Sequence, residues 1–216
     1  MRIIVGIFLF AIAFPVDEQE EIGFQYGILG RLNSQNKQIT ELQDSTKIYS
    51  GDEIRINAGY KKDTHFYVIY KGSEGEFDIL YPDLGKMVVD AEEQPDTIYS
   101  TVLYWSKLTD PAGIETFFLI NSSFKLESLT AMFTRYSKVN AKGRMKLAKK
   151  IQMELDDLNP ETKLELANLG NRLDKPIVGG VAFRGDDGEI LKDMSLTHSC
   201  TGSLGVAFRK LIINHQ

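Results

Sequence analysis

The sequence predicts an α+β fold: an antiparallel β-sandwich with a helical insertion and C-terminal strands that complete the sheet. Three observations carry this expectation. Apolar residues recur at period two from 22 to 122, at the helical period of 3.6 within 124–173, and in strand fashion again over 177–214. Short strands separated by turn residues belong to a sandwich or barrel rather than to a wound parallel sheet.

The elements follow in order. Ile22, Phe24, Tyr26 and Ile28 alternate with Gly23, Gln25 and Gly27, which predicts a strand with thin residues on its second face. After the turn Ser50-Gly51-Asp52, Ile54 and Ile56 alternate with Glu53, Arg55 and Asn57. Gly51 suits the positive φ of such a turn, and Asp52 suits a hydrogen bond to its own backbone. Phe66 to Tyr70 is apolar on both faces and reads as an interior strand. Gly72-Ser73-Glu74-Gly75 then turns the chain into Phe77–Tyr81, and Pro82 ends that strand by withholding a ladder donor. Residues 83–99 read as loop, and strands return at Thr101–Trp105 and Ile114–Ile120. Glu115, opening the last of these, is expected to accept from backbone donors of a neighbouring loop.

Past Ser123, Leu126, Leu129, Met132, Phe133 and Tyr136 fall on one helical face. Asn140 is a cap for a second helix whose apolar side is Met145, Ala148, Ile151 and Leu155. Asn159-Pro160-Glu161 signals a third helix to about Leu169, stopped by Gly170. Ile177–Phe183 and Leu204–Ile213 are strands, the latter with Val206, Phe208 and Ile212 on one face. Gly-Val-Ala-Phe-Arg occurs at 180–184 and again at 205–209; two copies of an amphipathic strand do not make a repeat architecture. Residues 14–216 therefore read as a single domain.

The N-terminus carries an address. Met1-Arg2 precedes the apolar run Ile3–Phe14, which is shorter than the about 20 residues a membrane helix needs. With Ala11-Ile12-Ala13 before Pro15 and an acidic stretch, residues 1–13 read as a signal peptide cleaved near Ala13, so the protein is expected in the periplasm or outside the cell. No transmembrane segment is expected in the mature chain. The lone Cys200 suits an oxidising compartment if it is buried, and it excludes an internal disulfide. A net charge of −5 gives no global attraction to nucleic acid, and no nucleic-acid partner is expected.

Residues 40–123 also carry a resemblance. Ser50-Gly51-Asp52-Glu53-Ile54-Arg55-Ile56, the aromatic strand Phe66–Tyr70, Gly75, Leu80-Tyr81-Pro82 and Gly113-Ile114-Glu115-Thr116-Phe117-Phe118 before Asn121-Ser122-Ser123 occur in an order that resembles a bacterial family catalogued as domain of unknown function 4384. The resemblance implies a small β-sandwich of secreted or multidomain bacterial proteins and brings no active site. The helical insertion at 124–173 and the strands beyond it depart from that family's bare domain.

Motifs for catalysis are thin. His198 and Cys200 share one side of a strand and His215 could approach from the tail, but no metal-ligand spacing joins them, so neither metal nor cofactor is expected. Gly202-Ser203-Leu204-Gly205 lacks the pattern of a nucleophile elbow. A hydrolase built on Cys200 with His198, or on Ser203, is the rival reading. One patch stands above background: Lys138, Lys142, Arg144, Lys146, Lys149 and Lys150 crowd cations into an otherwise acidic chain, and Lys142, Lys146, Lys149 and Lys150 share a helical face. The sequence thus favours a non-enzymatic binding or scaffold module, with those four lysines as the surface that meets an acidic protein or an envelope polyanion.

Overall fold

The computed structural model describes residues 22–82, 98–103, 105–159, 163–166 and 198–216. The signal-peptide reading, the strand over Ile177–Phe183 and the first Gly-Val-Ala-Phe-Arg copy lie outside those residues.

Two sheets form the sandwich. The first has the order β10 (Lys163–Leu166), β11 (His198–Gly202), β1 (Ile22–Arg31), β4 (Glu53–Lys61) and β7 (Ile98–Val102), with β2 (Ile39–Glu41) on β1 and β8 (Ser106–Lys107) on β4. The second has the order β3 (Lys47–Ile48), β12 (Val206–His215), β9 (Gly113–Ser122), β5 (His65–Lys71) and β6 (Phe77–Tyr81). All pairings are antiparallel except β3 on β12. The C-terminal strands complete both sheets: β11 extends the first, and β12 lies inside the second.

The period-two pattern places one side of each strand in a shared core. Phe24, Tyr26 and Ile28 from β1, with Ile54, Ile56 and Tyr60 from β4, meet Phe66 and Val68 from β5, Phe117 and Leu119 from β9, and Leu211 and Ile213 from β12. The alternate residues of the second sheet point outward and would be wet without a cover. That cover is α1 (Glu127–Tyr136) and α2 (Ala141–Asp157), whose Leu129, Phe133, Ile151 and Leu155 pack on Tyr67, Ile69, Phe118, Ile120 and Phe208. Hence β5 is apolar on both faces: Val68 serves the inter-sheet core and Ile69 the core under the helices, each with no exposed surface. Polar ends fix the helical layer. Tyr67 accepts from the Leu126 N–H, Phe77 donates its N–H to Tyr136, and Lys71 Nζ donates to Gln152 Oε1.

The turn and cap chemistry operates as the sequence implies. Gly75 sits at φ +85° between β5 and β6, and Asn140 caps α2 by accepting from the Gly143 N–H at 3.0 Å. Asp52 reaches further than its own turn: it accepts from Tyr49 N–H at 3.0 Å and from Asn33 N–H at 2.7 Å.

Four expectations need correction. The third helix does not form across its described part; Lys163–Leu166 is a strand, with Leu164 opposite Cys200. The cap-proline-acid signal is local, whereas Lys-Leu-Glu-Leu alternates at period two beside the open edge of β11 and satisfies its backbone there. Met145 does not face the core; it is 68% exposed, and Leu147 takes the buried position instead. Glu115 is buried, but its partners are side chains rather than backbone donors. The strand after the loop begins at Ile98, three residues before Thr101.

Candidate functional site

Among the described residues two places have chemical character: the outward side of α2 and a polar chain at one end of the inter-sheet core. On α2, Leu147, Ile151 and Leu155 face inward. The structure brings Lys142, Lys146, Lys149 and Lys150 together on the exposed side. Met145 and the 65% exposed Met153 belong to the same side, because 142, 145, 146, 149 and 153 follow helical spacing. The result is a mixed cationic and thioether stripe.

Its charges oppose the helix. The N-terminal end of a helix is positive, yet α2 has no acid in its first turn and carries Lys142 and Arg144 there, with Glu154, Asp156 and Asp157 at the other end. Lys142–Lys146 and Lys146–Lys150 are also like-charged pairs four apart, each costing a few tenths of a kcal/mol. Helix stability therefore does not account for this pattern.

The remaining residues singled out in the sequence do not assemble. Cys200 is fully buried in the inter-sheet core, where burial, partly offset by the Arg209 charge and the Phe208 backbone, pushes its thiol up to about 12. His198 stacks on Tyr26 with ring centroids 5.2 Å apart and places Nε2 3.3 Å from Glu41 Oε1. Ser203 is exposed in the turn before β12, its carbonyl accepting from the Val206 N–H. His215 lies at the far end of β12, opposite Gly113. Among the described residues no group of three or more His, Cys, Asp or Glu is placed to hold a metal ion.

The second place is one the sequence reading misses. Register and phase put Tyr70, Glu115 and His215 on the inner side of three adjacent strands. Ile213 pairs with Glu115 and Tyr70 pairs with Phe117, so His215 and Tyr70 are each diagonal neighbours of Glu115. Tyr70 Oη donates to Glu115 Oε2, and His215 Nδ1 lies 3.3 Å from Glu115 Oε1. Ser50 Oγ lies 2.9 Å from His215 Nε2 and donates to Asp110 Oδ1 at 2.8 Å. The imidazole and the Glu115 carboxylate are buried, while Ser50 is exposed. Burial, then the Glu115 contact, raises the Tyr70 hydroxyl above the ordinary tyrosine range and keeps it a donor.

The Ser50 turn is rigidly anchored. Ser50, Gly51 and Asp52 donate their N–H groups to the carbonyls of Gln216, Leu108 and Tyr49. The serine is thereby held against the imidazole by two segments remote in sequence, at Leu108 and at Gln216.

No family model, curated protein or solved structure matches the chain. Among the described residues, no helix is long and apolar enough to cross a membrane.

Proposed function

We propose that this chain is a secreted or periplasmic binding module that docks an acidic protein through the exposed side of α2. The observation that carries the reading is the stripe Lys142, Met145, Lys146, Lys149 and Met153, with Lys150 beside it. Cations set against the helix dipole weaken the helix and attract an acidic surface. Two exposed methionines among them favour a protein over a bare polyanion, since thioethers are adaptable apolar contacts that a polysaccharide or polyphosphate does not need. The buried side of the same helix is fastened to the sheet, which gives the stripe a fixed shape.

The test is capture from envelope extract with three proteins: wild type, the Lys142, Lys146, Lys149 and Lys150 to Glu variant, and Met145→Ser/Met153→Ser. Charge reversal is expected to abolish capture, and added salt to weaken it progressively. The methionine variant is expected to weaken capture at every salt concentration. Capture indifferent to the methionines but steeply salt-dependent would replace the protein partner with a polyanion. Capture unchanged by charge reversal would remove the α2 surface altogether. The localisation is tested separately: protein recovered outside the cytoplasm should begin at Phe14, and an intact Met1 on a cytosolic product would end that part of the proposal.

A further inference from the structure

We propose that Ser50 is an acyl-accepting nucleophile, with His215 as its base and Glu115 and Tyr70 as positioning residues. The site is distinct from the α2 stripe and independent of it. A serine hydroxyl attacks a carbonyl usefully only when a base receives its proton and a third group fixes that base. All three are present: Ser50 Oγ stands 2.9 Å from His215 Nε2, and Glu115 Oε1 stands 3.3 Å from Nδ1. The second carboxylate oxygen is occupied by Tyr70, so Glu115 cannot turn away without losing a hydrogen bond. Exposure falls in the sense catalysis requires, with an accessible nucleophile on a buried base and orienter.

The Ser50 hydroxyl has one proton and two acceptors, Asp110 and His215. Donation to Asp110 is the resting arrangement; donation to Nε2 of the neutral imidazole is the reactive one. In the reaction, Ser50 Oγ bonds to the ester carbonyl carbon while its proton passes to Nε2. The carbon–oxygen bond to the leaving alcohol then breaks, and Nε2 returns the proton to that oxygen. Water, giving its proton to the same nitrogen, attacks the acyl-serine carbonyl; the carbon–Oγ bond then breaks, Nε2 returns the proton to Oγ, and the acid leaves. The net change is ester plus water to acid plus alcohol.

The same geometry sets the substrate class. The N–H groups of Ser50, Gly51 and Asp52, the donors nearest in the chain to a developing oxyanion, are committed to carbonyls. Without such donors a reaction forfeits roughly a hundred- to a thousandfold in rate. Esters of acidic alcohols, whose leaving groups need little help, are therefore the substrates expected, and peptides are not.

The experiment uses the full chain with a fluorophosphonate probe and with p-nitrophenyl acetate, and mass spectrometry to locate the adduct. Labelling is expected on Ser50, and to vanish in Ser50→Ala, a change at an exposed side chain. His215→Gly should lower the labelling rate by about a hundredfold or more, the lower range for a positioned base, and added imidazole should restore part of it. That rescue distinguishes loss of the base from loss of the fold. Glu115→Gln should lower kcat for the phenyl ester and leave KM in place, whereas Asp110→Ala, which removes the competing acceptor, should raise the labelling rate by releasing the serine proton to His215. An adduct elsewhere, or ester turnover that persists in Ser50→Ala, overturns the proposal. So does a folded His215→Gly that labels at the wild-type rate.

Discussion

Asn121 on β9 donates its side-chain N–H to the carbonyl of Gly23 on β1 at 2.8 Å, a direct polar tie between the two sheets. Asn121 has no exposed surface, and Gly23 offers no side chain at the crossing. The tie thus fixes how one sheet sits on the other at the end where β11 joins β1.

Removing this amide is expected to be costly in a graded way. Asn121→Ala leaves the Gly23 carbonyl without its side-chain donor and should destabilise the fold by about 1–3 kcal/mol. Asn121→Asp should cost more, because it sets a carboxylate against a carbonyl in a dry site. Urea unfolding of the two variants checks the order. Equal midpoints for wild type and Asn121→Ala would mean that the tie contributes nothing.

Val68 and Ile69 test the two cores separately, since adjacent residues of β5 serve opposite faces. Val68→Asp and Ile69→Asp should each abolish cooperative unfolding, because an unpaired buried charge costs several kcal/mol of a total of roughly 5–15. Alanine at the same positions should leave a folded protein, weakened by about 1–4 kcal/mol. A soluble Ile69→Asp that melts like wild type would show that the helical layer does not seal the outer face of the second sheet.

The buried thiol of Cys200 makes a prediction about alkali. An unfolded cysteine ionises near roughly 8.5, whereas the native thiol is pushed up to about 12 by burial. Between those values the native state keeps a proton that the unfolded chain has released. The stability contribution is therefore full below the unfolded value and is lost as pH rises towards the native one. Denaturant unfolding at intervals from pH 8 to 12 should fall less steeply for Cys200→Ala than for wild type. Parallel slopes would exclude Cys200 as a titrating group, and native-state reaction with a thiol reagent would contradict its burial.

The features legible in the sequence are those that depend on near neighbours. Alternation exposes β1 and β4, a continuous apolar run exposes β5, the glycines at 72 and 75 mark one hairpin, and Asn140 marks a cap because its partner is three residues away. What escapes is decided at a distance. Lys163–Leu166 is drawn into a strand by the free edge of β11, more than thirty residues onward, which no local signal at Asn159 encodes. The polar chain is harder still, for Ser50 and His215 are separated by 165 positions and Glu115 and His215 by 100. Its one trace in the sequence is phase. If Val206, Phe208 and Ile212 share one face of β12, then His215 belongs to the other, and Glu115 falls in step with Phe117 and Leu119. A charged residue on the buried phase of an apolar strand is the signal that a partner waits across the sheet.

The α2 stripe predicts opposite signs for stability and for capture, which separates a binding surface from an ordinary solvated face. Lys142 stands in the first turn of α2, where a cation opposes the dipole, and it repels Lys146 one turn later. Lys142→Glu reverses both effects. It places an acid at the positive end of the helix and makes a favourable pair with Lys146, so the variant should be more stable by about 0.3–1 kcal/mol. The same change removes a cation from the stripe and should weaken capture of the acidic partner, with most of the loss in the association rate at low salt. Thermal melts and capture assays on this single variant give both readings. A rise in Tm with weaker capture is the expected pair. A rise in Tm with capture unchanged would mean that Lys142 lies outside the contact, and a fall in Tm would show that the lysine is engaged in a stabilising contact within the fold.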